Sequence, residues 1–478
     1  MHQVFEALAR NALQFSAEAA FEDDTQSVTW ATLAGRVADL AARLGATDGP
    51  VAIALAGGVD YVVADLAVSL AGRRQVPLPF FFSREQNAHI LMDAGVTTVI
   101  TSTPDLFAPL PHLHLVDPAA TLQNTPLPAY RGGSERVIYT SGSSGRPKGV
   151  IIGDGQLSAS LTALSAVIAA GPGDIHLSVL PLAQLLEQIC GIFLPIMARA
   201  RTVFRFEATK ALLGAPVVPL AQAFEAVRPT TSVLAPSVLA RWTAHLGETG
   251  RRAPDSLRFV AVGGASSAPD LIRAANRAGI PAYEGYGLSE CCAVVAMNRP
   301  GDNKPGTVGQ VLDGLDVRID AGEIVVSSPT VMQGYLNADP APRVWRTGDL
   351  GHFDGDRLVV DGRKDALLVT GAGRNISPEW VEQRVNADPR VVASALGLRA
   401  DDTLVLIVAA AVPVPVSDIA ALLGDLPEYA RPSEAIVTRP DEPGLLFPAG
   451  TPNRETVAKI VNARAAQPLA RSKEDIAS

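Results

Sequence analysis

The sequence predicts an α/β protein: a large N-terminal domain of layered helices and strands carrying a small β subdomain, then a small, mobile α+β C-terminal domain. Up to about Gly309, apolar residues at helical spacing alternate with short continuous apolar runs, the pattern of helices packed on a largely parallel sheet. Past Gly309 the pattern changes to short alternating runs broken by turn residues, and after Gly362 a new helix start opens a second compact unit. The 478 residues suffice for this, since ~100 to 200 residues per domain allow about two to four domains.

Leu33, Val37, Leu40 and Leu44 share one helix face behind Thr29, a residue suited to cap it, and the run Val51 to Leu55 reads as a buried strand. Helices follow near Tyr61 to Leu70 and Gln156 to Ala169, with strands near Thr97 to Thr101, Arg136 to Thr140, Thr231 to Leu234 and Arg258 to Val262. The β subdomain is read from Val317 to Ile319, Glu323 to Ser327 and, after an Asp-Gly-Asp turn at Asp354 to Asp356, Leu358 to Val360. Ser377 as cap, Pro378 at the first helical position and Glu379 behind it start a helix, and strands near Val391 to Leu398 and Leu404 to Ala411 follow. The domains are placed at 1–364 and 365–478, with a hinge at Asp365, and the tail from Gln467 is expected to fray.

Composition narrows the function. Lys and Arg number 40 against 49 Asp and Glu, a net charge of −9, so no overall field draws the surface to nucleic acid. Three cysteines, two of them adjacent, suit neither a disulfide framework nor a spaced zinc site and fit a reducing cytoplasm. The N-terminal stretch lacks the basic-then-apolar pattern of a secretion signal, and the most apolar runs are interrupted before the ~20 residues that span a bilayer.

The densest chemical signal is Tyr139-Thr-Ser-Gly-Ser-Ser-Gly-Arg-Pro-Lys-Gly149, directly after a predicted strand. Glycine lets the backbone approach phosphate oxygens, hydroxyls and N–H groups donate to them, and Lys148 adds charge, so the loop suits a polyphosphate. It is not a P-loop, because Pro147 precedes the lysine and Gly149 follows it.

This loop resembles the phosphate loop of the adenylate-forming superfamily, which includes acyl-CoA synthetases, luciferases and the adenylation domains of peptide synthetases. Four more segments resemble that family in its own order. In Gly285-Tyr-Gly-Leu-Ser-Glu290 the resemblance places Tyr286 on adenine, Ser289 at the α-phosphate and Glu290 on Mg²⁺. In Trp345-Arg-Thr-Gly-Asp-Leu350, Asp349 matches the aspartate that accepts the ribose hydroxyls; in Asp361-Gly-Arg-Lys-Asp365, Arg363 would contact ribose or phosphate and Asp365 is the hinge. Gly371-Ala-Gly-Arg-Asn-Ile-Ser-Pro-Glu379 resembles the loop lining the thiol tunnel, here Gly371, Ala372 and Gly373. The resemblance implies a nucleotide site of Thr140, Ser141, Gly142, Ser143, Ser144, Gly145, Gly264, Ala265, Glu284, Gly285, Tyr286, Gly287, Asp349 and Arg363. Lys148, Ser289, Glu290 and Arg363 carry the catalytic roles. It also implies ATP, Mg²⁺ and CoA, or the phosphopantetheine of an acyl carrier protein. Such chemistry needs charge neutralised and the nucleotide fixed in line, and no nucleophilic side chain, so the absence of a G-x-S-x-G motif is no objection.

The segment Leu180-Pro-Leu-Ala-Gln-Leu-Leu-Glu-Gln188 resembles its counterpart in long-chain acyl-CoA synthetases, with Gln184 where His or an aromatic gates the acyl tunnel. Amino-acid-activating relatives carry an Asp in this region; none lies between Ile175 and Phe204, which points to an apolar, fatty acid. The pocket would be completed by Val233, Pro236, Gly263 and Gly264. Cys291 and Cys292 read as inert buried residues, and His176 and His352 as structural or surface ones. The family's closing Gly-Lys-x-x-Arg segment is altered here: in Phe447-Pro-Ala-Gly-Thr-Pro-Asn-Arg454, Thr451 stands at the lysine, leaving Lys459 or Arg454 as substitutes. Three readings follow: an acyl-CoA synthetase, an enzyme that loads a carrier protein or another nucleophile, and a pseudoenzyme that binds nucleotide or acyl group.

Overall fold

The computed structural model describes residues 1–45, 47–119, 126–140, 147–371, 374–410, 412–446 and 451–469. It is a mixed α/β structure with two large sheets and a separate four-stranded sheet. The first large sheet has 13 strands. Its centre is parallel, running through Ala282–Tyr286, Phe259–Val262, Thr231–Leu234, Ile175–Ser178, Arg201–Phe204 and Ala19–Glu22. The β hairpins expected past Gly309 join it in series: Ala296–Met297 pairs antiparallel with Gly285 and Tyr286, and Gln310–Val311 leads on to Arg357–Arg363 and Val344–Asp354.

The second sheet has seven strands: Gly334–Tyr335, Lys148–Gly153, Glu135–Thr140, Arg74–Pro77, Val51–Ala54, Thr98–Thr101 and His114–Val116. Helices Trp30–Leu44, Val59–Leu70 and Asp154–Ile168 lie in the core shared by the two sheets, where Ile53, Val150 and Ile152 of one oppose Val233, Phe259 and Ala261 of the other. This is the layered burial that the alternating pattern encodes. The outer face of the first sheet is covered by Pro236–Thr249 and Pro269–Arg277, and that of the second by Arg84–Asp93 through Ile90 and Leu91.

Thr29 caps its helix as expected, accepting from the Thr32 N–H. Ser377 sits at its N-cap position, but its hydroxyl donates to Glu379 instead. Gly362, at φ +130°, packs against this turn, where a Cβ would lie 2.1 Å from Ser377 Oγ. Beyond it, Val391–Leu398, Leu404–Ala410, Glu434–Thr438 and Gln467–Pro468 form the four-stranded sheet, with Pro378–Val385 on one face and Arg454–Ala463 on the other. Gln467 and Pro468 thus pair with Ala435 and Glu434 rather than fray; residues 470–478 lie outside the described residues.

Three neighbouring parallel strands end at Leu234, Val262 and Tyr286, so the segments after them share one sheet edge. In open parallel sheets ligands bind at the carboxyl ends of the strands, and Pro236, Gly263, Gly264 and Tyr286 all stand on this edge.

Candidate active site

The phosphate-loop stems are two antiparallel strands, with Thr140 opposite Lys148. Ser141, Gly142, Ser143, Ser144 and Gly145 lie outside the described residues. Lys148 is exposed, its ammonium 5.6 Å over the ring of Tyr335. The Tyr335 hydroxyl donates to Glu290 Oε1 at 2.8 Å. One tyrosine therefore touches both the loop's cation and the carboxylate assigned to the metal. Tyr335 was missed in the sequence because a Gly-Tyr pair in a two-residue strand carries no pattern; its register beside Val150 places it.

Glu290 sits in the turn Ser289–Cys291, with Ser289 half-buried before it. The turn depends on Gly287, where a Cβ would fall 1.6 Å from the Ala293 carbonyl oxygen. Among the described residues only Oε1 of Glu290 is hydrogen-bonded, which leaves Oε2 for a cation. No three His, Cys, Asp or Glu side chains converge among the described residues. A single open carboxylate beside a phosphate site suits Mg²⁺, which is commonly held by one or two carboxylates plus substrate phosphates.

The second cluster is built on the strands Val344–Asp354 and Arg357–Arg363, where Asp349 lies opposite Arg363. Asp349 Oδ2 accepts from the Tyr286 hydroxyl at 2.5 Å, and Oδ1 lies 3.4 Å from Arg363 Nη1. Burial pushes the Asp349 carboxyl up despite these donors, and burial together with the Asp349 charge pushes the Tyr286 phenol up. A carboxylate has about four lone-pair positions, so capacity remains for two ribose hydroxyls. Arg363 also grips Asp365 through two bonds of 2.9 and 3.0 Å, which hold the Asp365 carboxyl below its usual range. The Arg363 charge acts on Tyr335 as well, so the two clusters share one field.

Glu284 is placed differently from its neighbours: it is buried, its carboxylate accepts from the Ser267 N–H at 2.8 Å, and burial raises its pKa to about 7. Gly264, at φ +87°, and Ala265 are exposed with open space in front of Gly264.

On the acid side, Gln184 and Pro236 are half-buried, and the Gly263 Cα faces the Gly285 carbonyl closely enough that a Cβ would sit at 3.4 Å. Deeper along the same face, Val233 lines a small cavity with Ala261, Phe259, His176, Cys190 and Leu194. His176 is engaged by Thr231 Oγ1 at 3.0 Å and Glu187 Oε1 at 3.4 Å. His352 is exposed beside Asp361 at 2.9 Å. All three cysteines are buried, and burial pushes each thiol up, away from the reactive thiolate.

In the C-terminal part, Gly371 N–H donates to Asp402 at 2.7 Å, while Ala372 and Gly373 lie outside the described residues. Thr451 is exposed. Neither substitute for a lysine there is uncommitted. Arg454 is tied to Glu379 and Glu382, the latter buried and also accepting from the Leu396 N–H, and Lys459 pairs with Glu455 on an exposed helix face.

Residues 8–336 match the family model described as AMP-binding enzyme. The chain is 30% identical over 337 residues to indoleacetate--CoA ligase of Aromatoleum aromaticum, a match covering 63% of this chain and 62% of that protein. It is 28% identical over 416 residues to 2-succinylbenzoate--CoA ligase of Bacillus cereus, covering 80% and 83%. Its fold superimposes on the O-succinylbenzoate coenzyme A synthetase (MenE) of Bacillus subtilis solved with AMP, with a TM-score of 0.80 at 23% identity over 96% and 99% of the two chains. With 329 residues under the family model (336 − 8 + 1), the chain belongs to the AMP-binding enzyme family of the adenylate-forming superfamily.

Proposed function

We propose that the protein activates an apolar carboxylic acid with ATP and Mg²⁺ and passes the acyl group to the thiol of CoA. In the first step a carboxylate oxygen attacks the α-phosphorus and the bond to the pyrophosphate oxygen breaks. In the second, the thiolate sulfur attacks the acyl carbon and AMP leaves, the thiol proton passing to solvent. The observation that carries this is the meeting of Lys148 and Glu290 at Tyr335, within the field of the Asp349–Arg363 pair.

Each residue then has an electrostatic task. Glu290 would hold Mg²⁺, which would supply charge to offset the phosphates when bound. Lys148 offsets phosphate charge, Asp349 accepts from ribose, and Arg363 steadies Asp349 while reaching the hinge at Asp365. The part from Asp365 onward is proposed to turn about that hinge, bringing the Gly371–Gly373 loop to the thiol. The apolar lining of Val233, Ala261 and Phe259 supports an apolar acid. The relatives named for indoleacetate and 2-succinylbenzoate favour one bearing an aromatic ring over a plain fatty acid, and CoA over a carrier protein.

The test is AMP and pyrophosphate release from Mg·ATP with a panel of arylacetic, benzoic and fatty acids, with and without CoA. Release that depends on one acid class and on CoA supports the reading. Pyrophosphate exchange without thioester moves the acceptor to a carrier protein, and Mg·ATP binding without turnover makes Thr451 the mark of a pseudoenzyme.

A further inference from the structure

The helix Arg84–Asp93 lies outside every motif, yet two of its residues reach the phosphate loop from both sides. His89 and Asp93 are four apart and therefore share one helix face. His89 Nε2 donates to the Pro147 carbonyl oxygen at 3.3 Å, at the loop's exit. Asp93 Oδ2 accepts from the Tyr139 hydroxyl at 2.7 Å, at its entry. The Tyr139 ring is itself fixed, because it lies where a Cβ on Gly149 would meet it at 3.0 Å. A third tie runs to the segment that carries Tyr335: Asn337 Nδ2 donates at 3.0 Å to both Oδ1 and the carbonyl oxygen of Asp93.

We propose that His89 and Asp93 form a clamp that fixes Tyr139 and Pro147, the residues flanking the phosphate-loop segment, relative to each other and to the segment that carries Tyr335. They are positioning residues: they reach the nucleotide only through Tyr139, Pro147 and Asn337. The ligand sensed is the β,γ-pyrophosphate part of ATP, since the ribose and adenine contacts belong to Asp349 and Tyr286 on the other sheet. The Tyr139 bond is charge-assisted, the stronger kind of hydrogen bond. The clamp rests on the reading of this site as an adenylating one.

The experiment is calorimetric binding of Mg·ATP and, separately, of AMP to the full chain and to His89→Ala, His89→Gln and Tyr139→Phe. Tyr139→Phe keeps the ring on Gly149 and removes only the hydroxyl, so it tests the clamp where an Asp93 variant could unfold. The expected result is a Kd for Mg·ATP raised roughly tenfold in His89→Ala and Tyr139→Phe. AMP, which lacks the β- and γ-phosphates, should stay within about twofold, as independent sites do. His89→Gln, which keeps a donor, should recover part of the loss. Equal weakening of both nucleotides, or no change in either, overturns the clamp. A wild-type protein that binds neither nucleotide overturns the reading of the site and the clamp with it.

Discussion

Tyr335 shows how much one hydroxyl can organise. It donates to Glu290 while its ring lies under Lys148, so Tyr335→Phe keeps the cation over a ring and frees the carboxylate. A hydrogen bond to a charged group contributes about 1.5 to 3 kcal/mol, and the expected outcome is a Mg²⁺ requirement raised roughly tenfold or more, with KM for the acid unmoved. Titrating Mg²⁺ at fixed ATP checks it; an unchanged Mg²⁺ dependence removes Tyr335 from the metal side of the site. Glu284 makes a different prediction, about stability. Burial lifts its pKa from 4.5 in the unfolded chain to about 7 in the folded one. Below the unfolded value both states hold the proton and no penalty exists; as pH rises from about 4.5 through about 7 the unfolded state ionises first and stability falls. At ~1.4 kcal/mol per unit the loss is of order 3 kcal/mol. Glu284→Gln, whose amide oxygen can still accept from Ser267, should therefore raise Tm at pH 8 and flatten the profile across that window, which thermal melts from pH 5 to 8 would read.

At the scale of elements, the site was legible where chemistry is contiguous in sequence. Tyr286 to Glu290, Asp349 and Arg363 to Asp365 each stand in a short contiguous segment, so a resemblance of motifs could nominate them from the sequence. Tyr335, His89 and Asp93 act across strand register and helix packing and left no local signal. The alternation of helices and strands was equally readable, because burial on one face writes itself into spacing. The joining of the β hairpins to the large sheet was not, since it is decided by the antiparallel pairing of Gly285 and Tyr286 with two short residues' worth of strand. Ser377 stands at the expected N-cap position, but its hydroxyl donates to Glu379 two residues on, a choice between local partners that residue type alone does not decide. Close approach gives a prediction at Gly149, where a Cβ would lie 2.5 Å from Val137 Cγ1 and 3.0 Å from the Tyr139 ring. Gly149→Ala should destabilise by about 1 to 3 kcal/mol through overpacking and weaken Mg·ATP binding by displacing the loop's second stem. Melting and nucleotide titration on the same variant separate the two effects, and a variant with wild-type values in both would show that the hairpin relaxes freely.

For the whole molecule, the proposed adenylation raises the question of whether Arg454 or Lys459 can stand in for the lysine that the family resemblance places at Thr451. Arg454 is three residues from Thr451, but it neutralises Glu379 and Glu382, and among the described residues the buried Glu382 carboxylate is offset only by Arg454 and the Leu396 N–H. Releasing Arg454 toward ATP would leave that carboxylate unpaired, at a cost of about 3 to 5 kcal/mol, which exceeds the ~1.5 to 3 kcal/mol a new charge-assisted contact returns. Lys459 is no better placed, since it stands on the exposed side of its helix beside Glu455. On the proposed function, adenylation is therefore expected to run without help from Arg454 or Lys459, and slowly. Thr451 is exposed, so a longer side chain meets no packing barrier there. Thr451→Lys should accelerate acid-dependent pyrophosphate exchange by about ten- to two-hundredfold, the rate equivalent of one charge-assisted contact made in the transition state. Thioester formation from supplied acyl adenylate should not change if, as the resemblance implies for the family's lysine, position 451 acts in the adenylation step. A folded Thr451→Lys protein with an unaltered exchange rate would mean that position 451 does not reach the reacting phosphate, and that this chain takes its second cation from elsewhere in the site.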